Sequence, residues 1–179
     1  MIKALSKFKK KENKDNISIA REQGVLVGDD CRIYSLNFGS EAYLISLGNH
    51  VTVSHDVSFV THDGGVWVLR EEYPEIDIIK PIIVHDNSFI GAGSIILPGV
   101  EIGPNSIVGA GSIVNKTVLP NSVYAGVPAK FIKTIEDYKT EALLESVPVK
   151  KLTREEKKSW LLNYYGDNPI SWKKKLEPN

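Results

Sequence analysis

The sequence predicts an all-β solenoid, a fold in which short strands stack coil upon coil around one core. Aliphatic residues recur at every sixth position between Val84 and Leu119, and an earlier stretch from Val27 keeps the same spacing. A period of six fits neither a helix, with about 3.6 residues per turn, nor an alternating hairpin, so it indicates short strands joined by turns. With 179 residues, the chain suits one domain with a sizeable core.

The regular part of the repeat assigns a residue type to each place. Read in sixes, it becomes VHDNSF, IGAGSI, ILPGVE, IGPNSI, VGAGSI and VNKTVL. The first place always holds a β-branched aliphatic: Val84, Ile90, Ile96, Ile102, Val108 and Val114. Small residues recur in the second and fifth places: Gly91, Gly103, Gly109, Ser88, Ser94, Ser106 and Ser112. Stacking such coils buries an aliphatic column that no single repeat could bury alone.

The earlier part of the repeat is less regular. VGDDCR and IYSLNF begin at Val27, LGNHVT and VSHDVS begin at Leu47, and Phe59 stays in phase. An insertion at residues 39–46 breaks the phase once.

The composition becomes helical after Lys133, where the period of six ends. Thr153 and Glu156 form a capping box ahead of an aromatic run, and Gly166 provides a stop. We expect a short C-terminal helix that covers the open end of the solenoid, because an exposed final coil would offer unpaired strand edges. The predicted divisions are an N-terminal segment, a β-helix domain and a C-terminal helical extension: residues 1–24, 25–133 and 134–179.

Charge and cysteine content exclude several classes of protein. The chain has 22 basic and 22 acidic residues, so no global field favours nucleic acid as a partner. Cys31 is its only cysteine, which leaves no disulfide framework and no cysteine-based zinc motif. The chain lacks an apolar signal-peptide core and a run of about 18 apolar residues. We therefore expect a soluble, cytoplasmic protein without an integral membrane segment.

Lysines crowd both ends of the chain: Lys3, Lys7, Lys9, Lys10, Lys11, Lys14, Lys173, Lys174 and Lys175. They are either solvated chain ends or sites of weak peripheral attraction to an anionic membrane surface, where each basic residue adds about 1 kcal/mol. Both interpretations stay open, and neither assigns a function.

The hexapeptide phase is lost between Phe59 and Ile82, where the chain reads VTHDGGVWVLREEYPEIDIIKP. We interpret residues 62–81 as a loop extruded from the coil, and loops on a rigid scaffold are where sites tend to lie. His62 stands at its start. Acyl transfer to a hydroxyl needs a base, and a neutral imidazole accepts a proton at cytoplasmic pH. Chemistry alone ranks His62 little above the other histidines.

Three features together resemble the hexapeptide-repeat acyltransferase superfamily, in particular its sugar and capsular-polysaccharide O-acetyltransferase branch. They are the repeat itself, the segment NFGSEAYLISLGNHVTVSHDVSFVTHDGGVWVLR and the closing YAGVPAKFIK. The resemblance implies a left-handed parallel β-helix with three hexapeptides in each triangular coil. It implies an acetyl-CoA-dependent O-acetyltransferase that acts on a hydroxyl of a sugar or a cell-surface polysaccharide precursor, with His62 as general base. It also implies a homotrimer whose sites lie between subunits.

The same resemblance implies a coenzyme A groove along the later coils. Small side chains at Ala92 and Ala110 would let the pantetheine arm lie close to the backbone, with corner packing as the alternative. Lys130 and Lys133 would meet the phosphates as cations, or else point to solvent. The implied cofactor-binding residues are Ala92, Gly93, Ala110, Asn115, Lys116, Lys130 and Lys133. A backbone N–H near Ala92 would meet the oxyanion, transfer would be direct, and no metal is expected.

Three residues are candidates for contact with the acceptor. By resemblance Asn37 matches an acceptor-contacting asparagine, although it could instead cap a turn. Trp67, on the loop, either covers the acceptor or acyl chain or packs against a neighbouring subunit. Asp63 could polarise His62, but adjacent residues on an extended chain point apart, which favours a turn-forming role. No residue is identified as the partner that orients His62.

Several alternatives stay open at this point. An N-acetyltransferase for an amino-sugar nucleotide would use the same groove, and a catalytically silent trimeric scaffold would keep the same repeat. A zinc site of the γ-class carbonic anhydrase kind is disfavoured because His50 and His55 precede the loop, whereas His62 and His85 lie on different sides of it. A serine acetyltransferase is disfavoured because its long helical N-terminal domain has no room before Val27.

Overall fold

The computed structural model describes residues 14–166 and shows a parallel β-helix with three faces. Contacts divide the chain after Lys139 into two compact units. In chain order, the strands are β1 (Leu26–Val27), β2 (Arg32–Ile33), β3 (Ile45–Leu47), β4 (Thr52–Val53), β5 (Ser58–Phe59), β6 (Ile82–Val84), β7 (Phe89–Ile90), β8 (Ile95–Ile96), β9 (Glu101–Ile102), β10 (Ile107–Val108), β11 (Ile113–Val114), β12 (Ser122–Gly126) and β13 (Ala129–Thr134). The helices are α1 (Asn16–Glu22), α2 (Ile135–Glu145) and α3 (Arg154–Tyr165), with 3₁₀ turns at Ala42–Leu44 and Gly64–Leu69.

Each face of the β-helix is one ladder of parallel strands, and the second face ends in the antiparallel strand β13. The first face contains β1, β3, β6 and β9, the second contains β2, β4, β7, β10, β12 and β13, and the third contains β5, β8 and β11. In the regular coils the paired residues lie 18 positions apart, as from 89 to 107 and from 95 to 113. Three hexapeptides therefore complete one coil, as the resemblance implied.

The aliphatics in the first place of each hexapeptide form the core. All six, from Val84 to Val114, are at most 1% exposed. Phe38 and Phe59 continue the column through the irregular coils, with ring centroids 5.3 Å apart. Burial of this column is the main stabilising contribution to the β-helix.

The serines in the fifth place are buried and hydrogen-bonded. Ser88 Oγ donates to the carbonyl of Gly103 at 3.0 Å, and Ser94 Oγ donates to that of Gly109 at 3.1 Å, each in the next coil. A buried hydroxyl without a partner would destabilise the fold, so the hydroxyl is used to join neighbouring coils.

The corner between the first and second faces is a ladder of polar turn residues. Asp30, His50, Asn87, Asn105 and Asn121 all have φ between 53° and 57°, a left-handed conformation that Asn and Asp tolerate better than most residues. Side-chain hydrogen bonds join the last four, at 2.7, 2.8 and 3.0 Å in order. His50 thus has a structural position in a turn.

The insertion is shorter than expected. The sequence predicts an insertion over residues 39–46, but Ile45 already belongs to β3 and pairs with Ile82. Ile45 and Leu47 are 1% and 2% exposed, so burial of both side chains brings the chain back into the coil before Ser46. The insertion therefore comprises residues 39–44.

The two ends of the described chain are helical. Asp15 caps α1, whose Ala20 is buried in the core, although no helix was predicted there. The C-terminal prediction is confirmed: Thr153 and Glu156 form the capping box of α3, and Gly166 follows it with φ 88°. Its role as a cover for the final coil stays a prediction. On the second face, the antiparallel strand β13 already covers the edge of β12.

No helix within residues 14–166 is long and apolar enough to cross a membrane. The lysines at positions 3–11 and 173–175, with the membrane contact considered for them, lie outside the described residues.

Close approach of the coils makes Gly91 sensitive to substitution. A Cβ at this position would lie 2.5 Å from the backbone nitrogen of Ala110 and 2.8 Å from its Cα. We expect Gly91→Ala to lower the free energy of unfolding by about 1–3 kcal/mol, as overpacking does. Urea unfolding followed by circular dichroism measures this. Gly64→Ala is the matched control, because its Cβ would meet nothing within 4 Å. Equal stability of the two variants would contradict the stacking described.

Candidate active site

The backbone of His62 is held where the two ends of the extruded loop meet. His62 forms an antiparallel bridge with Ile79. On either side, Asp63 N–H donates to Ile78 O and Lys80 N–H donates to Thr61 O, both at 2.8 Å. The start of the loop is therefore anchored to its end, and His62 is fixed at the corner between the third and first faces.

The loop itself contains the 3₁₀ turn Gly64–Leu69. Asp63 caps this turn, accepting a hydrogen bond from Gly65 N–H at 2.9 Å. Val66 is 5% exposed and anchors the turn, whereas Trp67 is 75% exposed. The loop thus has one buried anchor and presents an indole outward.

The imidazole of His62 is oriented by Glu41. Nδ1 lies 3.2 Å from Glu41 Oε2 and 3.5 Å from Ser40 Oγ. An ionised carboxylate only accepts hydrogen bonds, so the proton of neutral His62 belongs on Nδ1 and Nε2 keeps its lone pair. The His62 side chain is 43% exposed and that of Glu41 is 16% exposed. The pair therefore combines a shielded carboxylate with a base that can be reached from solvent.

Neighbouring hydroxyls keep Glu41 ionised. The fully buried Thr61 donates its Oγ1–H to Glu41 Oε2 at 2.6 Å. This hydrogen bond, followed by that of the Ser40 hydroxyl and then by His62, holds the pKa of Glu41 below its usual value of 4.5. At neutral pH Glu41 therefore carries the negative charge that a protonated imidazole needs beside it.

The insertion delivers Glu41 to this position. Gly39, with φ 67°, begins it, and a Cβ there would lie 3.2 Å from Phe59 O. In the 3₁₀ turn that follows, Ala42 is 4% exposed, and the N–H of Leu44 donates a hydrogen bond to Glu41 O at 2.9 Å. Sequence reasoning missed Glu41, although an acidic residue inside a phase-breaking insertion was the available signal.

A pocket of about 340 Å³ opens in front of this pair. The insertion, His62 and the loop line it: Ser40, Glu41, His62, Gly64, Val66, Trp67, Arg70, Asp77 and Ile79. It contains an imidazole, a carboxylate, an aromatic surface and a guanidinium, groups that together can bind a polar ligand and move a proton.

Of the three candidate acceptor residues, the structure brings one to the pocket. Trp67 lines it. Asp63 uses its carboxylate to cap the 3₁₀ turn and is not among the lining residues. Asn37 lies on the third face, where its Nδ2 donates to Ser58 Oγ at 2.8 Å, outside the pocket.

The predicted cofactor residues occupy a different corner. Ala92 and Gly93 form the turn between β7 and β8, and Ala110 lies in the matching turn between β10 and β11. The two turns stack, with Gly111 N–H donating to Ala92 O at 2.8 Å, and their alanines are exposed. This corner joins the second and third faces, so a single subunit does not bring these residues to His62.

The remaining predicted cofactor residues lie near the end of the β-helix. Asn115 and Lys116 follow β11 and are exposed, and Lys130 and Lys133 lie on β13. Lys130 pairs across the hairpin with Ala125. None of these four lines the pocket beside His62.

The other histidines have separate surroundings. His55 packs against Tyr34, with ring centroids 4.9 Å apart, and His85 Nε2 lies 2.6 Å from Glu101 Oε1. Among residues 14–166, no group of three or more His, Cys, Asp or Glu side chains is arranged to hold a metal ion.

Comparison with known proteins identifies the family. The model for bacterial transferase hexapeptide repeats (six repeats) matches residues 81–116. Protein CapG of Staphylococcus aureus is 54% identical over 151 residues, which cover 83% of this chain and 88% of CapG. This chain belongs to the hexapeptide-repeat acetyltransferases. The predicted family, enzyme class and left-handed parallel β-helix are confirmed.

Two solved structures of acetyltransferases are similar to this one. A galactoside acetyltransferase in complex with coenzyme A is 30% identical, with a TM-score of 0.53, over 69% of this chain and 72% of that one. An acetyltransferase of Vibrio cholerae O1 biovar eltor complexed with acetyl-coenzyme A is 25% identical, also with a TM-score of 0.53, over 66% and 75%.

The lowered pKa of Glu41 makes stability depend on pH. The pKa of Glu41 is lower in the folded chain than in the unfolded one. Ionised Glu41 therefore stabilises the fold at pH values above 4.5, the usual pKa of the group, and this stabilisation is lost as the pH falls through the lowered pKa of the folded chain. Thr61→Val removes the strongest cause, so we expect its free energy of unfolding to fall less steeply on acidification. Urea unfolding at a series of pH values tests this. Thr52→Val, remote from Glu41, should keep the wild-type slope, and equal slopes for all three proteins would contradict the assignment.

Replacing Glu41 by Gln should slow the hexapeptide-repeat acetyltransferase without weakening its binding of acetyl-CoA. The amide can donate to Nδ1 of His62, which favours the tautomer whose Nε2 is protonated and cannot act as a base. Loss of a charge-assisted hydrogen bond predicts a decrease in kcat of roughly 10- to 100-fold. Steady-state kinetics measure it. Glu72→Gln removes the same charge from the exposed loop and should leave kcat unchanged; an equal decrease in both variants would refute an orienting role for Glu41.

Proposed function

We propose that this hexapeptide-repeat acetyltransferase moves the acetyl group of acetyl-CoA directly to a hydroxyl of a sugar, with His62 as general base. The observation that carries the proposal is the His62–Glu41 pair, 3.2 Å between Nδ1 and Oε2, at the edge of a pocket of acceptor size. The similarity to a galactoside acetyltransferase supports a hydroxyl acceptor, because a galactoside offers hydroxyls and no amine.

The pair accounts for both proton transfers of the reaction. His62 Nε2 takes the hydroxyl proton as the acceptor oxygen attacks the thioester carbonyl, and Glu41 stabilises the imidazolium that forms. When the tetrahedral intermediate collapses, the carbon–sulfur bond breaks and His62 returns the proton to the departing thiolate. The products are the acetyl ester and free coenzyme A, and no acyl-enzyme is needed.

Acetyl-CoA is proposed to lie along the corner formed by the turns of Ala92 and Ala110. Exposed small side chains there let an extended arm approach the backbone, and Lys130 and Lys133 supply cations for the phosphates. Similarity to structures holding coenzyme A and acetyl-coenzyme A supports this assignment. A backbone N–H near Ala92 is the proposed oxyanion donor.

Assembly into a homotrimer would complete the site. His62 and the alanine turns occupy different corners of one subunit, so the base of one subunit must meet the groove of its neighbour. We place the reaction in the cytoplasm, where a single unpaired cysteine is normal. The acceptor is proposed to be a sugar or a cell-surface polysaccharide precursor.

His62→Ala should lower kcat by about 10²- to 10⁴-fold, the usual contribution of a general base. Thiol release from acetyl-CoA with sugar acceptors measures this, and calorimetric titration with coenzyme A checks that cofactor binding is intact. His85→Ala is the matched control, since its imidazole is paired with Glu101 away from the pocket. Wild-type turnover in His62→Ala would show that His62 is not the general base.

Comparison of hydroxyl and amine acceptors separates this function from N-acetyl transfer. Preferred acetylation of an amino sugar over its hydroxyl counterpart would contradict it. Absence of thiol release with every sugar acceptor would instead favour a catalytically silent scaffold.

A further inference from the structure

Arg70 lines the pocket beside His62, and its side chain is 40% exposed. It ends the 3₁₀ turn, where its backbone N–H donates to Trp67 O at 3.2 Å. Within residues 14–166, its buried Nε has no hydrogen-bond partner. Its Nη2 lies 3.4 Å from Asp77 Oδ2, which is longer than the usual distance of about 2.7–2.9 Å for a charge-assisted hydrogen bond. Because the Nε atom is closed to solvent, an oxygen of a ligand in the pocket would meet the Nη nitrogens of the guanidinium.

Arg70 and Asp77 together present complementary hydrogen-bonding groups. The guanidinium offers the N–H groups of its Nη nitrogens as donors, and the Asp77 carboxylate accepts from Arg70 and from its neighbour Ile78 N–H while keeping further lone pairs. A hydroxyl is both donor and acceptor, so it matches this pair, whereas a carboxylate or phosphate would meet the like charge of Asp77. The exposed indole of Trp67 lines the same pocket and offers an apolar surface to a sugar ring.

The charge of the surrounding loop opposes an anionic ligand. Residues 62–81 contain five acidic residues and two basic ones, a net charge of −3 from 2 − 5: Asp63, Glu71, Glu72, Glu75 and Asp77 against Arg70 and Lys80. A field of this sign lowers the local concentration of anions and favours neutral or cationic ligands.

We propose that Arg70 and Asp77 bind a second hydroxyl of a neutral sugar acceptor, next to the one that is acetylated, so that the site selects neutral glycans over uronic acids and sugar nucleotides. This inference rests on the proposed function and names the class of its acceptor. Arg70 acts as a specificity-determining residue: its guanidinium fixes the orientation of the sugar in front of His62.

The test uses the full-length enzyme and three probes of matched stereochemistry: methyl galactopyranoside, methyl galactopyranosiduronate and UDP-galactose. Acceptor binding is measured by saturation-transfer NMR in the presence of coenzyme A, and turnover is measured by thiol release from acetyl-CoA. In the wild type we expect the neutral glycoside to be bound and acetylated in preference to both anionic probes.

Arg70→Met removes the donor and should lower kcat/KM for the neutral glycoside by roughly 10- to 100-fold, mainly through KM. The KM for acetyl-CoA should stay at its wild-type value. Lys80→Met is the matched control, because it removes the same charge from the same loop at a residue outside the pocket. Its kinetics should be those of the wild type. Arg70→Lys keeps the charge without the planar donor and should recover little activity.

Several results would overturn the inference. They are wild-type kcat/KM in Arg70→Met, an equal loss in Lys80→Met, preference for either anionic probe, and failure of the wild type to bind the neutral glycoside. Arg70-dependent binding of the neutral glycoside without acetylation would instead refute the proposed function while leaving the binding site intact.

Discussion

The in-register stacking of coils is the constraint on which the rest of the structure depends. Each complete coil must contribute one apolar side chain from each face to the column, and glycine backbones must approach the next coil closely, as Gly91 approaches Ala110. Extra residues therefore cannot be absorbed inside a face without moving every later aliphatic out of the core. They are tolerated at a corner, where the chain can leave and return in phase.

This constraint explains how residues 21 positions apart meet at the site. Residues 39–44 depart from the β-helix at the corner between the third and first faces of one coil. The loop of residues 62–81 departs at the same corner of the next coil. Two excursions from one corner of successive coils must lie side by side. Glu41 in the insertion therefore reaches His62 at the start of the loop. Thr61 donates a hydrogen bond to the Glu41 carboxylate.

Much of the fold could be predicted from the sequence, because the physical cause is periodic. The first-place aliphatics, the fifth-place serines and the capping box of Thr153 are local patterns with one structural solution. Handedness is different: the usual rule for parallel crossovers is right-handed, and nothing in a period of six opposes it, so the left-handed coil came only through family resemblance. Helix α1 was missed because a short amphipathic segment carries little signal by itself.

The site was less predictable, because its residues lie where the period is broken. His62 was found from its place at the mouth of the loop, but neither Glu41 nor Arg70 belongs to a pattern. The positions of Glu41 and Arg70 could have been predicted by determining at which corner of the coil each interruption departs. Residues 39 and 62 follow third-face segments, so their excursions had to be neighbours, and the acidic residue of the first was then the available partner for the histidine of the second.

The division of chemistry between interruptions and regular coils has a consequence for assembly. The proposed coenzyme A groove would use the repeating, close backbone surface that the regular turns of Ala92 and Ala110 offer. The proposed base and acceptor pocket would use irregular side chains held at fixed distances, which the corner excursions offer. Since one triangular coil cannot place both at the same corner, packing of subunits side by side is a direct way to bring a third-to-first corner against a second-to-third corner. The proposed homotrimer would bring these two corners together in this way.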